Sequence, residues 1–179
     1  MASESALLIP VPEAEELVGD FRELHDPSAE WGVPAHVTVL YPFLEPRNIT
    51  PERIQEVRDL FAGIDPFECV FRETGTFPRL LYLRPEPRDV FVSLTRLIEA
   101  RWPDYPAYGG LFDEVVPHLT VAQDVDDERI EEIRSALKPG LPVRGKAKEI
   151  HLIVGGNEGS GWEFRHRFRL GAEAPPTVV

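Results

Sequence analysis

A single cysteine, Cys69, stands in this chain of 179 residues. It excludes an intrachain disulfide and any metal site assembled from several thiolates, and it reads as a small buried hydrophobe. Long apolar runs are also missing: none approaches the roughly 20 residues that cross a bilayer as a helix. The opening residues Met1-Ala2-Ser3-Glu4-Ser5 carry no basic region followed by an apolar stretch, so no secretory leader is read there. A cytoplasmic protein with no membrane partner is the expectation. Positive charge is scarce, with 19 Lys and Arg against 31 Asp and Glu, for a net charge of −12. A protein that grips a long nucleic acid by its phosphates needs a basic surface, because counterion release supplies much of the affinity. No long nucleic acid is therefore expected, and a phosphate substrate would be small or contacted over a few nucleotides. There is no His-Glu-x-x-His run, no Cys/His cluster and no G-x-x-x-x-G-K-[ST] loop. No metal, no cofactor and no ATP-driven ligation is implied.

What is present is ordinary globular material, 42% hydrophobic and 28% charged, enough for one domain or two small lobes sharing a core. Residues 6–11 form an apolar run suited to a buried strand. A helix opens at Pro12 with acidic residues near its positive end, and Leu17, Val18, Phe21 and Leu24 follow at helical spacing. Asp26-Pro27-Ser28 breaks it, and a loop leads to a β-branched run from His36 to Tyr41. Thr50-Pro51 caps a second helix with Ile54, Val57, Leu60 and Phe61 on its stripe. Strands at residues 67–77 and 80–83 form a tight pair. A helix over 87–101 carries Val90, Leu94, Leu97 and Ile98, and an aromatic, Gly/Pro-rich segment follows. The order then recurs: a strand over 117–122, a helix over 126–137, and strands around 143–154 and 162–170 joined by a Gly-rich turn. Arg144, Lys146, Lys148, Arg165, Arg167 and Arg169 alternate along those last strands, the pattern of a solvated face. Helices interleave with strands, yet hairpins supply much of the pairing. The fold class is α+β with largely antiparallel sheets, and the doubled layout suggests two related lobes over residues 1–171, with a loose tail over 172–179.

Within that repeat lies a repeated motif. Val33-Pro34-Ala35-His36-Val37-Thr38-Val39 matches Val116-Pro117-His118-Leu119-Thr120-Val121: a proline shortly before the histidine, then x-Thr, then valine. Alternate residues of a strand share a face. His36 and Thr38 therefore point one way and Val37 and Val39 the other, and His118 and Thr120 do likewise. An imidazole titrates near neutral pH, and a hydroxyl can donate to a phosphate oxygen. Two such pairs facing each other supply a base, an acid and an anion-binding set, enough to cleave a phosphodiester without a metal.

These motifs and their order resemble the two-histidine (2H) phosphoesterase superfamily, in particular its 2′-5′ RNA ligase-like and cyclic phosphodiesterase branch. The hallmark H-x-[S/T]-hydrophobic stands twice, as His36-Val37-Thr38-Val39 and His118-Leu119-Thr120-Val121, and residues 75–83 look like the family's hairpin between the motifs. The resemblance covers about residues 5–170. It implies a bilobal fold with pseudo-twofold symmetry, helices outside, and the motifs on central strands lining a cleft. It also implies activity on 2′,3′-cyclic phosphates, 2′-5′ linkages or related cyclic nucleotides. His36 and His118 would be the acid/base pair, and Thr38 and Thr120 would hold the nonbridging oxygens. Many members carry a basic residue shortly after the second motif, where this chain has Gln123-Asp124.

Phe77, Arg79 and Tyr82 are candidate substrate-binding residues, aromatics to stack on a base and an arginine to meet phosphate. Tyr41 falls in phase with Val37 and Val39 and is assigned to the core. His25, His151 and His166 lack a threonine at +2 and are left out of the site. The expected partner is a small cyclic nucleotide or an RNA-end phosphate, with the oligomeric state left open. Reversible 2′-5′ joining of RNA ends and a non-catalytic nucleotide-binding module are the alternatives.

Overall fold

The computed structural model describes residues 4–155 and 161–171; the expected tail and most of the Gly-rich turn lie outside them. β1 (Glu4–Pro10) is apolar on both faces because both are covered: Leu7 and Ile9 enter the main core, while Ala6 and Leu8 face a second, smaller cluster with Val33 and Ile153. α1 (Glu15–His25) follows, then a one-turn helix, α2 (Pro27–Glu30), where a loop was expected. Asp26 makes that turn by capping the Ser28 N–H at 3.0 Å. Next come β2 (His36–Leu40), α3 (Pro51–Ala62), β3 (Phe67–Phe77), β4 (Leu80–Glu86) and α4 (Arg88–Arg101). β5 (Leu119–Gln123), α5 (Asp127–Leu137), β6 (Val143–Ala147), β7 (Glu149–Gly155) and β8 (Trp162–Arg169) complete the described chain.

The strands form two antiparallel four-stranded sheets, ordered β2-β1-β7-β8 and β5-β4-β3-β6. The orders correspond. In each, a motif strand occupies one edge and pairs with the strand that precedes it in its lobe. The helices correspond as well, with an exchange: α1, between β1 and β2, packs on β5, whereas α4, between β4 and β5, packs on β2. Each motif strand thus receives a helix from the other lobe, and β2 and β5 come into contact. The motif strands are therefore edge strands of their own sheets, not the central strands that the family resemblance implied. The two edge strands lie against each other, and a covered edge is less open to pairing with other chains.

Two further expectations are corrected. Residues 143–154 are not one strand: Lys148 divides β6, which pairs with β3, from β7, which pairs with β1 in the other sheet. The buried stripe of α4 is Phe91, Leu94, Thr95 and Ile98, while Leu97 is exposed and Val90 only half buried. The stripe turns because Thr95 is drawn inward, its hydroxyl donating to the Val39 carbonyl at 2.7 Å and so tying α4 to the first motif strand. The alternating cations of β6 and β8 are exposed, as a solvated face requires. Beneath them Phe61 and Phe168 close the core at a ring separation of 5.8 Å, each contributing about 1.5–3 kcal/mol by burial.

Candidate active site

His36 opens β2, and Val37, Val39 and Leu40 are buried on or beyond its far side. His36 and Thr38 emerge on the opposite face, next to Leu8 and Pro10 of β1 by register. His118 immediately precedes β5, whose Thr120 lies opposite Tyr82 of β4. Each histidine makes the same local contact: Nδ1 of His36 lies 2.7 Å from the Pro34 carbonyl, and Nδ1 of His118 lies 2.7 Å from the Val116 carbonyl. A carbonyl only accepts, so each Nδ1 carries the proton and each Nε2 of the neutral ring is left as the acceptor. The recurrence two residues back follows from the shared approach to the strand, and it fixes both imidazoles in one tautomer. His36, Thr38, His118 and Thr120 all line one cavity of about 510 Å³.

Electrostatics hold both rings neutral. Loss of solvent around the half-buried ring pulls the His36 pKa down from 6.5 to about 4, assisted by the positive charges that Arg22 and a protonated His118 would present. The hydrogen bond to Pro34 and the carboxylate of Asp26 act in the opposite sense. Burial also lowers His118, partly offset by its bond to Val116. The neighbours are not symmetric, because Arg22 serves the His36 side alone.

Arg22 and Asp26 were not singled out in the sequence, yet they are two of the few buried charges, 2% and 5% exposed. Arg22 Nε meets Asp26 Oδ2 at 3.0 Å, and its Nη2 donates to the Val33 carbonyl at 3.0 Å and to Ser28 Oγ at 3.1 Å. Glu15 accepts from the Ala35 N–H, one residue before His36. Together these fasten α1, from Glu15 at its start to Arg22 in its last turn, to the segment that delivers His36. A signal existed: Arg22 lies four residues after Val18, on the buried stripe of α1, where an unpaired charge would not be tolerated.

Tyr41 is a correction. β2 ends at Leu40, so the strand alternation does not carry to Tyr41; its ring lines the cavity, edge-on to Trp162 at 6.1 Å. Its hydroxyl donates to Glu4 Oε2 at 2.6 Å, and burial with that carboxylate raises its pKa to about 12. Gln123, in the region where many relatives of the resembled family carry a basic residue, also lines the cavity.

The structure brings Phe77 and Tyr82 against His118, with ring separations of 5.2 and 5.5 Å, but neither lines the catalytic cavity, and Tyr82 is buried in the core. Tyr82 can lie there because its opposite residue is Gly75, where a Cβ would collide with the Tyr82 ring. Arg79 is not brought to the cavity. It occupies the β3–β4 turn, and its Nη2 donates to the Asp124 carbonyl at 2.8 Å. His25 accepts from Arg129, and His151 contacts Glu149 at 2.6 Å; neither they nor His166 line the cavity.

The model of the 2′-5′ RNA ligase superfamily matches residues 10–159. The chain belongs to that superfamily. This superfamily member is 24% identical over 175 residues to a Bacillus licheniformis protein whose name assigns it, provisionally, to the phosphoesterases; the match covers 93% of this chain and 97% of that one. A Halalkalibacterium halodurans protein named in the same way is 26% identical over 170 residues, covering 93% and 96%. Among solved structures, Escherichia coli LigT complexed with 3′-AMP superposes with a TM-score of 0.59 at 18% identity, over 95% of this chain and 99% of LigT. A Thermus thermophilus protein superposes with a TM-score of 0.62 at 19% identity, over 97% and 100%. The superfamily member therefore has the LigT fold.

Proposed function

We propose that this chain is a phosphoesterase that hydrolyses a cyclic or 2′-5′ phosphodiester in a small nucleotide or an RNA end, using its two His-x-Thr motifs and no metal. One observation carries the reading: two imidazoles in the same tautomer and two threonine hydroxyls open onto one cavity of about 510 Å³. One imidazole takes a proton from water, whose oxygen attacks phosphorus; the other, protonated, delivers a proton to the departing ribose oxygen. Thr38 and Thr120 donate to the nonbridging oxygens as negative charge builds there. Both rings are neutral in the free protein, and the negative phosphate draws the required proton onto the acid.

Membership of the superfamily supports this reading, as do the names of the bacterial relatives. Crystals of LigT hold 3′-AMP and NADP+, which supports a small phosphate-bearing ligand for this fold. The net charge of −12 favours such a ligand over a long nucleic acid.

The test uses purified wild type, His36→Ala and His118→Ala on 2′,3′-cyclic nucleotides, ADP-ribose cyclic phosphate and 2′-5′ dinucleotides, with and without EDTA. Each alanine variant should lose about 10²–10⁴-fold in turnover while unfolding at an unchanged temperature, and EDTA should have no effect. Full activity of His118→Ala, or its abolition in wild type by EDTA, would overturn the mechanism. Joining of cleaved RNA halves in the same preparation would favour the ligase alternative.

A further inference from the structure

Behind His118 lies a second cavity, of about 350 Å³, walled by Phe77, Tyr108, Phe112 and Val116. It adjoins the catalytic cavity: His118 and Tyr108 line both. Its wall is aromatic on two sides: Phe77 stands edge-on to His118 at 5.2 Å, and Tyr108 stands edge-on to Phe112 at 5.7 Å. Phe112 is a large apolar side chain left 66% exposed. An aromatic slot of this kind accepts a planar group by stacking, with little regard to which base it is.

Charge narrows the ligand further. Among the described residues no lysine or arginine lines either cavity, and the undescribed positions contain none in sequence. The carboxylates that do line them, Asp26 and Glu114, are held by Arg22 and Arg88, whose charges are thereby engaged. The catalytic histidines and threonines can meet one phosphate; a second phosphate would find no cation.

We infer that the cavity behind His118 seats a planar, uncharged group of the departing alcohol, so that the preferred substrate is a linear phosphodiester with one negative charge and an aromatic ring system on its leaving side. The inference rests on the phosphodiesterase reading above and gives the site a direction. The leaving oxygen lies beside His118, which donates its Nε2 proton as the P–O bond breaks. Water enters from the His36 side, giving its proton to His36 Nε2 as its oxygen bonds to phosphorus. The products are an alcohol and a phosphomonoester, and proton exchange with solvent restores the two rings. His36 is neutral in the free protein, the form in which it can take that proton, and the Asp26 carboxylate nearby favours the imidazolium that results.

The experiment compares kcat/KM for adenylyl-(2′→5′)-adenosine, the same dinucleotide with a terminal phosphate on its departing nucleoside, and 2′,3′-cyclic AMP. The enzymes are wild type, Phe112→Ser and Leu111→Ser; Leu111 is 80% exposed and lines neither cavity. Wild type should favour the uncapped dinucleotide over both other substrates. Phe112→Ser should lower its kcat/KM about tenfold or more, the size expected for a lost stacking contact, and shrink its advantage over the cyclic nucleotide. Leu111→Ser should behave as wild type. Turnover in which the phosphorylated dinucleotide is preferred, or in which Phe112→Ser slows all substrates equally or none, overturns the inference and leaves the phosphodiesterase reading standing. Absence of turnover on every diester overturns both.

Discussion

Replacing His36 with glutamine should make the protein less sensitive to acid, even though it destroys a motif residue. The folded pKa of His36 is about 4 against 6.5 for a free imidazole. Between those values the unfolded chain binds a proton that the folded chain refuses, so lowering the pH favours unfolding. The destabilisation is absent well above pH 6.5 and complete below about pH 4. At about 1.36 kcal/mol per unit the whole window is worth about 3 kcal/mol, of which about 2 kcal/mol falls between pH 7 and pH 5. Water at the edge of the ring that faces the cavity screens part of this, bringing the expected size to about 1–2 kcal/mol. Urea unfolding of wild type and His36→Gln at both pH values measures it as a difference of differences. Carboxylates and His118 are common to both proteins and largely cancel. Wild type should lose more stability than the variant on going from pH 7 to pH 5. Parallel losses would mean that His36 titrates normally and that burial does not hold it neutral; a larger loss in the variant would mean that the fold favours the imidazolium.

Two substitutions test the frame around the site. Arg22→Leu leaves Asp26 buried without its cation and should cost about 3–5 kcal/mol in urea unfolding, with Arg22→Leu/Asp26→Leu recovering a large part; equal stability of the single and double variants would dismiss the pair as a support of the His36 segment. Gly75→Ala drives a methyl group into the Tyr82 ring and should destabilise by about 1–3 kcal/mol, relieved when Tyr82→Leu is added, as thermal unfolding would show.

The two halves of the site share a backbone plan and differ in what surrounds it. Both histidines donate Nδ1–H to a carbonyl two residues back, and both threonines follow on the same face. Beside His36 stands a buried ion pair, and Tyr41 and Trp162 line the same cavity; around His118 stand Phe77 and Tyr82. A symmetric frame with asymmetric walls can bind a phosphate centrally and still distinguish its two sides.

Features that depend on neighbours along the chain are legible in the residues alone. Strand period put His36 with Thr38 and His118 with Thr120, capping residues such as Thr50 and Asp126 started their helices, and the doubled order of elements foretold two antiparallel sheets. Tertiary structure alone decided what depends on residues far apart. It split residues 143–154 between two sheets, because each half found a different partner strand. It turned α4 so that Thr95 could reach Val39, brought Tyr41 to the cavity where β2 had ended, and gave Arg79 to Asp124 instead of to the cleft. Local periodicity fixes which way a side chain leaves the backbone; only the packing of α1 on β5 and α4 on β2 could set the two motif edges against each other with a cavity between them.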